Sequence, residues 1–143
     1  MMTPEERQLP HRSHADWLST GNNDVVDEIY VEDCRIISAN VPPELSYGRE
    51  GFKAYANFLR SAFPDLQITD DEILYEGELA SVRWTFHGTH LGPMMGIPAT
   101  GRKVSISGFD IMRIRGGYIL ELYLEQDMFG LLSQLGAFDQ PQK

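Results

Sequence analysis

The most informative stretch of the sequence is Ser107-Gly108-Phe109-Asp110-Ile111-Met112-Arg113-Ile114-Arg115-Gly116-Gly117-Tyr118-Ile119-Leu120-Glu121. Its alternating side chains predict a strand, the Gly-Gly pair predicts a tight turn, and the residues after it predict a second strand. Asp110 lies in the middle of the first strand among apolar neighbours. Strands disfavour Asp, and burying a carboxylate among apolar groups is costly. Asp110 is therefore either an exposed residue or a functional group in a pocket.

The rest of the chain supplies helices first and further strands later. Amphipathic spacing predicts helices over residues 13–19, 24–30, 52–63 and 129–135. Short alternating runs predict strands over residues 34–40, 66–75, 79–88, 103–115 and 118–125. This order indicates an α+β fold in which helices pack on one face of an antiparallel sheet. A curved sheet with helices over its concave face would enclose a pocket.

Length and composition restrict the class of protein. The 143 residues fit a single domain, 1–143, whose polar segment 1–12 we expect to be frayed or disordered. The net charge of −9 disfavours binding to nucleic acid or to an anionic membrane. No apolar run approaches the roughly 20 residues of a spanning helix, and the N-terminus lacks a signal-peptide core. Cys34 is the only cysteine, so we expect a cytoplasmic protein without an internal disulfide.

The histidines and glycines give no metal or cofactor signature. His11 and His14 lie in the polar N-terminal segment, and His87 and His90 lie at a strand end, without a carboxylate in a recognised zinc spacing. No glycine-rich loop leads from a strand into a helix, and there is no GxSxG nucleophile motif. We therefore expect neither a metal ion nor a cofactor.

Three polar residues are candidates for catalysis. The even-numbered faces of the predicted strands are apolar except at Asp110 and His90, and an apolar concavity with a few polar groups is typical of a small-molecule site. Asp110 is the candidate base, unless the odd face is the buried one or Asp110 pairs with an arginine. His90 is its candidate partner, unless it caps a loop or fills the core. Asp127 is the third candidate, although its position before the last helix also suits an N-cap.

Large apolar side chains on the same faces are candidates to bind substrate. They would form the pocket wall, and the flexible Met pair could form a lid, unless they only pack the core. The set comprises Trp17, Tyr30, Trp84, Phe86, Met94, Met95, Met112, Leu122 and Leu124.

Several motifs together resemble the SnoaL-like polyketide cyclase family, and they recur in order from about Trp17 to Gly136. They are Phe63-Pro64-Asp65-Leu66, Glu76-Gly77, the run from Trp84 to Gly92, Gly96 to Arg102, Asp110 to Ile114, and Asp127 with Leu131 to Gly136. The resemblance implies the nuclear transport factor 2-like cone, a curved antiparallel sheet over N-terminal helices with a deep apolar pocket. Ketosteroid isomerases and limonene epoxide hydrolases are similar in fold. This fold commonly pairs through the convex face of its sheet, so the resemblance also implies a homodimer.

The resemblance also implies a reaction class. The characterised cyclases close an anthracycline precursor by an intramolecular aldol reaction without metal or cofactor, using a His on one strand and an Asp on the last strand. Alignment of the motifs places Asp110 at the His position, Leu124 at the Asp position, and Gly108 where the cyclases carry Gln. Asp127 matches a common family Asp other than the catalytic one. The chain therefore lacks the catalytic His and Asp that the characterised cyclases carry at these two positions.

Three hypotheses follow for function. The first is a cofactor-free cyclase, isomerase or lyase that acts on a small hydrophobic carbonyl compound, with Asp110 as base, His90 as partner, and a tyrosine such as Tyr30 or Tyr47 as a further donor. The second is a non-catalytic binding or accessory protein that uses the same pocket, as Leu124 would suit. The third is a structural dimer module.

Overall fold

The structure, a computed structural model, describes residues 1–139 and has helices packed on one face of a five-stranded sheet. The helices are α1 (Pro4–Arg7), α2 (Leu9–His11), α3 (Asp24–Ile29), α4 (Gly48–Ala62) and α5 (Met128–Gln134), with a π-helix over Arg12–Leu18 and a 3-10 turn over Pro43–Leu45. The strands are β1 (Tyr30–Ile37), β2 (Gln67–Glu76), β3 (Leu79–Thr89), β4 (Lys103–Arg115) and β5 (Tyr118–Gln126). The α+β class is confirmed, and β4 has the predicted bounds.

The sheet is mixed, although we predicted an antiparallel one. Its strand order is β1-β5-β4-β3-β2, and β1 pairs in parallel with β5 while the other pairs are antiparallel. The long connection from β1 through α4 to β2 carries the chain away from β1, and β5 later fills the edge beside it.

Strict alternation along β3 and β4 gives the sheet one buried face. On β4 the even residues from Val104 to Ile114 are buried, and odd residues such as Phe109 and Ile111 are exposed. The predicted even face is therefore the inner one, and Asp110 lies on it. On β5 the prediction fails at Leu120, which is only half-buried, because a register shift beside Ile114 places Ile119 on the inner face instead.

The N-terminal segment is ordered in helices, where a frayed end was expected. Thr3 caps α1 through a reciprocal hydrogen-bond pair with Glu6, and Leu9 and Pro10 are buried. The π-helix that follows buries Ser13, His14, Trp17 and Leu18 against the sheet. The sequence signal for the burial of this π-helix is weak, because two of its four buried side chains, Ser13 and His14, are polar.

A bulge in β2 follows Asp70, the acidic side chain that faces inward. Asp70 pairs with Trp84 and Glu72 pairs with Arg83, so Asp71 is the extra residue on β2. One extra residue exchanges the faces of a strand. Asp70 lies on the inner face with Trp84, whereas Asp71 turns outward and accepts a hydrogen bond from the Thr85 hydroxyl at 2.6 Å.

Within residues 1–139, no helix combines the length and the apolar composition needed to cross a membrane.

Candidate active site

The helices and the inner face of the sheet enclose an apolar cavity of about 150 Å³. An apolar cavity of similar volume in another protein binds benzene. Eight of the nine predicted wall residues line it: Trp17, Tyr30, Trp84, Phe86, Met94, Met95, Leu122 and Leu124. The ninth, Met112, is fully buried one step farther along β4 and belongs to the core.

Asp110 lies on the cavity wall and is 3% exposed. Its Oδ1 accepts a hydrogen bond from the indole Nε1 of Trp84 at 3.1 Å, and its Oδ2 lies 2.7 Å from Nε2 of His14. These two donors satisfy part of the hydrogen-bonding capacity that burial would otherwise leave unmet. The carboxylate is thus held in a fixed orientation beside an apolar space.

The Trp84 indole can reach Asp110 because the residue opposite it is glycine. Trp84 pairs with Gly108 across β3 and β4, and a Cβ atom at Gly108 would lie 2.4 Å from the Trp84 ring. Gly108 therefore leaves the space that the indole occupies.

His14 joins two carboxylates. Its Nδ1 lies 2.5 Å from Asp70 Oδ1, and its Nε2 lies 2.7 Å from Asp110 Oδ2. Burial by itself lowers the pKa of His14, but the hydrogen bonds and charges of Asp110 and Asp70 outweigh it and raise the pKa to about 9. At neutral pH His14 is an imidazolium that donates from both ring nitrogens.

The Asp70 carboxylate connects this buried group to the surface. Its second oxygen, Oδ2, lies 3.6 Å from Nδ1 of His11, whose side chain is 61% exposed. Oδ2 has no hydrogen-bond partner within residues 1–139. Asp70 therefore holds His14 through one oxygen only, and His14 in turn holds Asp110.

Two tyrosines bring hydroxyl groups to the cavity. The Tyr30 hydroxyl lies 2.6 Å from the Ser13 hydroxyl, and both residues line the cavity. Tyr55, on α4, lines it as well. Tyr47, considered from the sequence as a donor, is 62% exposed and lies at the opposite face of the sheet beside Arg35.

The structure does not bring His90 or Asp127 to the cavity. His90 is fully buried, as the alternation of β3 predicts, but β3 ends at Thr89 and the His90 ring turns toward the following loop. There its Nδ1 accepts the backbone N–H of Thr100 at 3.2 Å. Asp127 is exposed and caps α5, accepting the N–H of Gly130 at 2.8 Å. Asp110 thus has His14, and not His90, as its partner.

Sequence reasoning missed His14, Asp70 and Tyr55. His14 shares a helical stripe with Trp17 and Leu18, which was a usable signal for burial. Tyr55 shares a helical stripe with Phe52 and Leu59, and that spacing likewise indicates a buried face. Asp70 follows Ile68 by two positions on β2, which indicates an inward direction, but the acidic run Asp70-Asp71-Glu72 is typical of an exposed strand.

Other reactive groups in the described chain lie apart from this cluster. Cys34 is fully buried, and burial raises the pKa of its thiol to about 12, so it packs as a small core residue. Within residues 1–139, no group of three or more His, Cys, Asp and Glu side chains is arranged to hold a metal ion.

Comparison with known proteins links this geometry to one family. The model of the family described as SnoaL-like polyketide cyclase matches residues 9–135. The chain is 34% identical over 121 residues to aklanonic acid methyl ester cyclase DnrD of Streptomyces peucetius, covering 82% of each chain. It is 28% identical over 120 residues to nogalonic acid methyl ester cyclase of Streptomyces nogalater, covering 83% of this chain and 89% of that one.

A solved structure agrees in fold. TsrD from Streptomyces laurentii superposes with a TM-score of 0.83 at 32% identity, covering 96% of this chain and 98% of that one.

Proposed function

The chain belongs to the SnoaL-like polyketide cyclase family, with the nuclear transport factor 2-like fold, and on that premise we propose that it is a cofactor-independent enzyme of the cyclase, isomerase or lyase type. Its substrate would be a hydrophobic carbonyl compound of polyketide type that enters the apolar cavity. The observation that carries this proposal is the Asp110 carboxylate on the cavity wall, oriented by the indole of Trp84 and the imidazolium of His14.

Asp110 is suited to remove a proton from the carbon next to a carbonyl group. Its carboxylate keeps lone pairs that the two donors do not use, and it lies at the edge of a largely apolar space. The proton would pass from carbon to Asp110, and the bonding electrons would form the enolate. In an aldol closure the enolate carbon attacks a second carbonyl, and Asp110 then returns the proton to the new alkoxide. No net proton is consumed, so one carboxyl group serves both steps.

His14 has a positioning role in this scheme. Both of its N–H groups are used, toward Asp70 and Asp110, so it is not free to take a proton from substrate. Its Nε2–H group donates a hydrogen bond to Oδ2 of Asp110 and so fixes the orientation of that side chain beside the cavity. Its bond to Asp70 fixes the ring plane, as a second carboxylate commonly does for a histidine at a reactive site.

Replacing Asp110 by Asn tests the proposal. The Asp110→Asn variant keeps the size of the side chain and the acceptor for Trp84, but its amide cannot take a proton. We expect the variant to bind a polyketide methyl ester, such as those that give the two Streptomyces cyclases their names, without forming product. Asp71→Asn, which changes a carboxylate on the outer face of the same sheet, is the matched control. Product formation by Asp110→Asn at the rate of the control would refute the proposal.

A binding or accessory role is the second candidate, favoured by one observation. Leu124 pairs with Asp110 across β4 and β5 and lines the cavity. The motif resemblance matches this position to the catalytic Asp of the family. An apolar wall there favours retention of a ligand over its conversion. This candidate predicts that wild-type protein and Asp110→Asn bind the methyl esters equally and that neither turns them over.

We also propose a homodimer through the outer face of the sheet. Exposed apolar side chains form a row across three strands, in which Tyr123 of β5 pairs with Ile111 of β4 and with Ile37 of β1. Phe109, at 52% exposure, extends this row along β4. Sedimentation should give twice the chain mass at micromolar concentration, and Ile111→Glu should give monomers. A monomeric wild-type protein would exclude this dimer.

A further inference from the structure

Tyr55 places a phenol in the cavity. It lies on the buried face of α4, between Phe52 and Leu59, and only 7% of it is exposed. It lines the same cavity as Asp110. Burial of so large a polar side chain normally requires a partner for its hydroxyl group.

Among the residues that the structure describes, the Tyr55 hydroxyl has no such partner. Within residues 1–139 no hydrogen bond reaches it, whereas the Tyr30 hydroxyl lies 2.6 Å from that of Ser13. The fully enclosed side-chain atoms that lack a partner are Asp70 Oδ2 and His90 Nε2, and the Tyr55 hydroxyl is not among them. The hydroxyl therefore retains some accessible surface, and Tyr55 lines the cavity. A donor in this position is available to a ligand.

The charge state of Tyr55 suits donation. Burial raises its pKa above the ordinary value, and the negative charge of Asp110 raises it further. The phenol therefore stays protonated across the neutral range. Both side chains line the same cavity, so a single small molecule bound there can contact both.

We propose that Tyr55 is a second catalytic residue, whose hydroxyl donates a hydrogen bond to the carbonyl oxygen of the substrate. This inference rests on the proposed function. As Asp110 takes the proton from carbon, the C–H bonding electrons form the new C=C bond and the carbonyl electrons move onto oxygen. Tyr55 stabilises that oxygen and keeps its own proton. A donor aimed at a developing oxyanion in a water-poor site is typically a large contribution to rate.

The proposal narrows the substrate class. The reacting carbon must lie at Asp110 while the carbonyl oxygen lies at Tyr55, so the substrate is a ketone or ester with an acidic proton adjacent to that carbonyl. The remaining surface of the cavity, formed by side chains such as Trp17, Phe86 and Leu124, accepts apolar rings.

Acetophenone labelled with ¹³C at the carbonyl carbon tests this proposal without turnover, because it lacks a second carbonyl to close on. It is a one-ring ketone of a size suited to the cavity. A hydrogen bond to its oxygen moves the carbonyl ¹³C resonance downfield. We expect a downfield shift on binding to wild-type protein, loss of that shift in Tyr55→Phe, and about twofold to tenfold weaker binding. Replacing Tyr55 by 3-fluorotyrosine, a more acidic phenol of nearly equal size, should move the resonance farther downfield.

Two other tyrosines serve as comparisons. Tyr75→Phe removes a hydroxyl that donates to the Arg7 carbonyl oxygen at the surface and should leave the shift unchanged. Loss of the shift in Tyr30→Phe, with retention in Tyr55→Phe, would assign the donor to Tyr30 and overturn the proposal. An unchanged shift in all variants, or the absence of acetophenone binding to wild-type protein at millimolar concentration, would overturn it too.

Failure here is distinguishable from failure of the proposed function. The shift depends on a donor and not on a base, so Asp110→Asn should retain it. If Asp110→Asn also retains turnover, the proposed base is wrong while the assignment of Tyr55 as a donor to ligand carbonyls stands. If Tyr55→Phe keeps the shift while Asp110→Asn loses turnover, the base stands and the donor is wrong.

Discussion

The Nε2 atom of His14 lies 2.7 Å from the carboxylate of Asp110, although 96 positions separate the two residues in the chain. A second carboxylate, Asp70, lies 2.5 Å from the opposite nitrogen of the same ring. Each of the three side chains comes from a different element: the π-helix, β2 and β4. The cluster therefore forms only when these three elements pack together. Both the free energy of unfolding and the proposed reaction should depend on the protonation of His14.

The raised pKa of His14 predicts a stability change at alkaline pH. The folded protein holds the proton to about pH 9, whereas the unfolded chain releases it near pH 6.5. The stabilisation is therefore complete below about pH 6.5 and is lost as the pH rises through about 9, by an amount on the order of 3 kcal/mol. Urea denaturation across that range measures it. His14→Gln should remove the dependence and His87→Gln, on the exposed face of β3, should retain it. An equal pH dependence of the unfolding free energy in both variants would show that His14 is not its source.

Asp70 should control the charge of His14. Asp70→Asn removes one of the two carboxylates that raise the His14 pKa. Because burial lowers this pKa and only Asp110 would then oppose it, the pKa should fall. Titration of His14 by NMR measures the change, with Asp71→Asn as the control on the same strand. Turnover should fall in Asp70→Asn at neutral pH as His14 loses its charge, and should recover on acidification. A His14 pKa that is the same in both variants would exclude this role.

Gly108 should be intolerant of a side chain. Gly108→Ala places a methyl group 2.4 Å from the Trp84 ring and 2.7 Å from the Glu125 carbonyl oxygen, so the indole must move and its hydrogen bond to Asp110 breaks. We expect a loss of about 1–3 kcal/mol in unfolding free energy together with a loss of turnover.

The control for that substitution is Gly51→Ala in α4, where the new methyl group meets only ordinary contacts of 3.5 Å or more. That variant should be as stable as the wild type or more stable, because Ala favours the helix. Comparable stability of the two variants would show that Trp84 does not depend on Gly108.

Met95 should control access to the cavity. It has φ of +49° in a two-residue turn closed by hydrogen bonds between Met94 and Ile97, and it lines the cavity while 48% exposed. Met95→Gly relieves the backbone strain and should leave stability equal or higher by up to about 1 kcal/mol. Met95→Ala retains the strain. Both should accelerate acetophenone exchange in relaxation measurements, because both remove the side chain at the opening. Unchanged exchange in both variants would show that the cavity opens elsewhere.

The sequence predicted the parts of this site that depend on local pattern. The alternation of β4 placed Asp110 on the buried face, and the motifs identified the family and its fold. It did not predict the partner of Asp110. Asp70 shares the inner face of β2 with Ile68, but the acidic run Asp70-Asp71-Glu72 is typical of an exposed strand, and nothing in it indicates a buried partner for a histidine. His14 was given no functional role, because the carboxylates that make its burial favourable are 56 and 96 positions away in the chain.

His90 illustrates the opposite error. The alternation of β3 predicts its burial correctly, but burial on an inner face does not establish that a side chain reaches the cavity. The strand ends one residue earlier, and the ring bonds to the loop at Thr100. Strand parity is therefore a better guide to the core than to the composition of a site.

The most direct test of the central claim is the ¹⁵N spectrum of His14 at neutral pH, assigned by comparison with His14→Gln. We predict that both ring nitrogens have the shifts of a protonated imidazolium and that both attached protons lie far downfield, as expected for hydrogen bonds to two carboxylates. A neutral ring with one unprotonated nitrogen would contradict this claim, because His14 could then donate a hydrogen bond to only one of the two carboxylates.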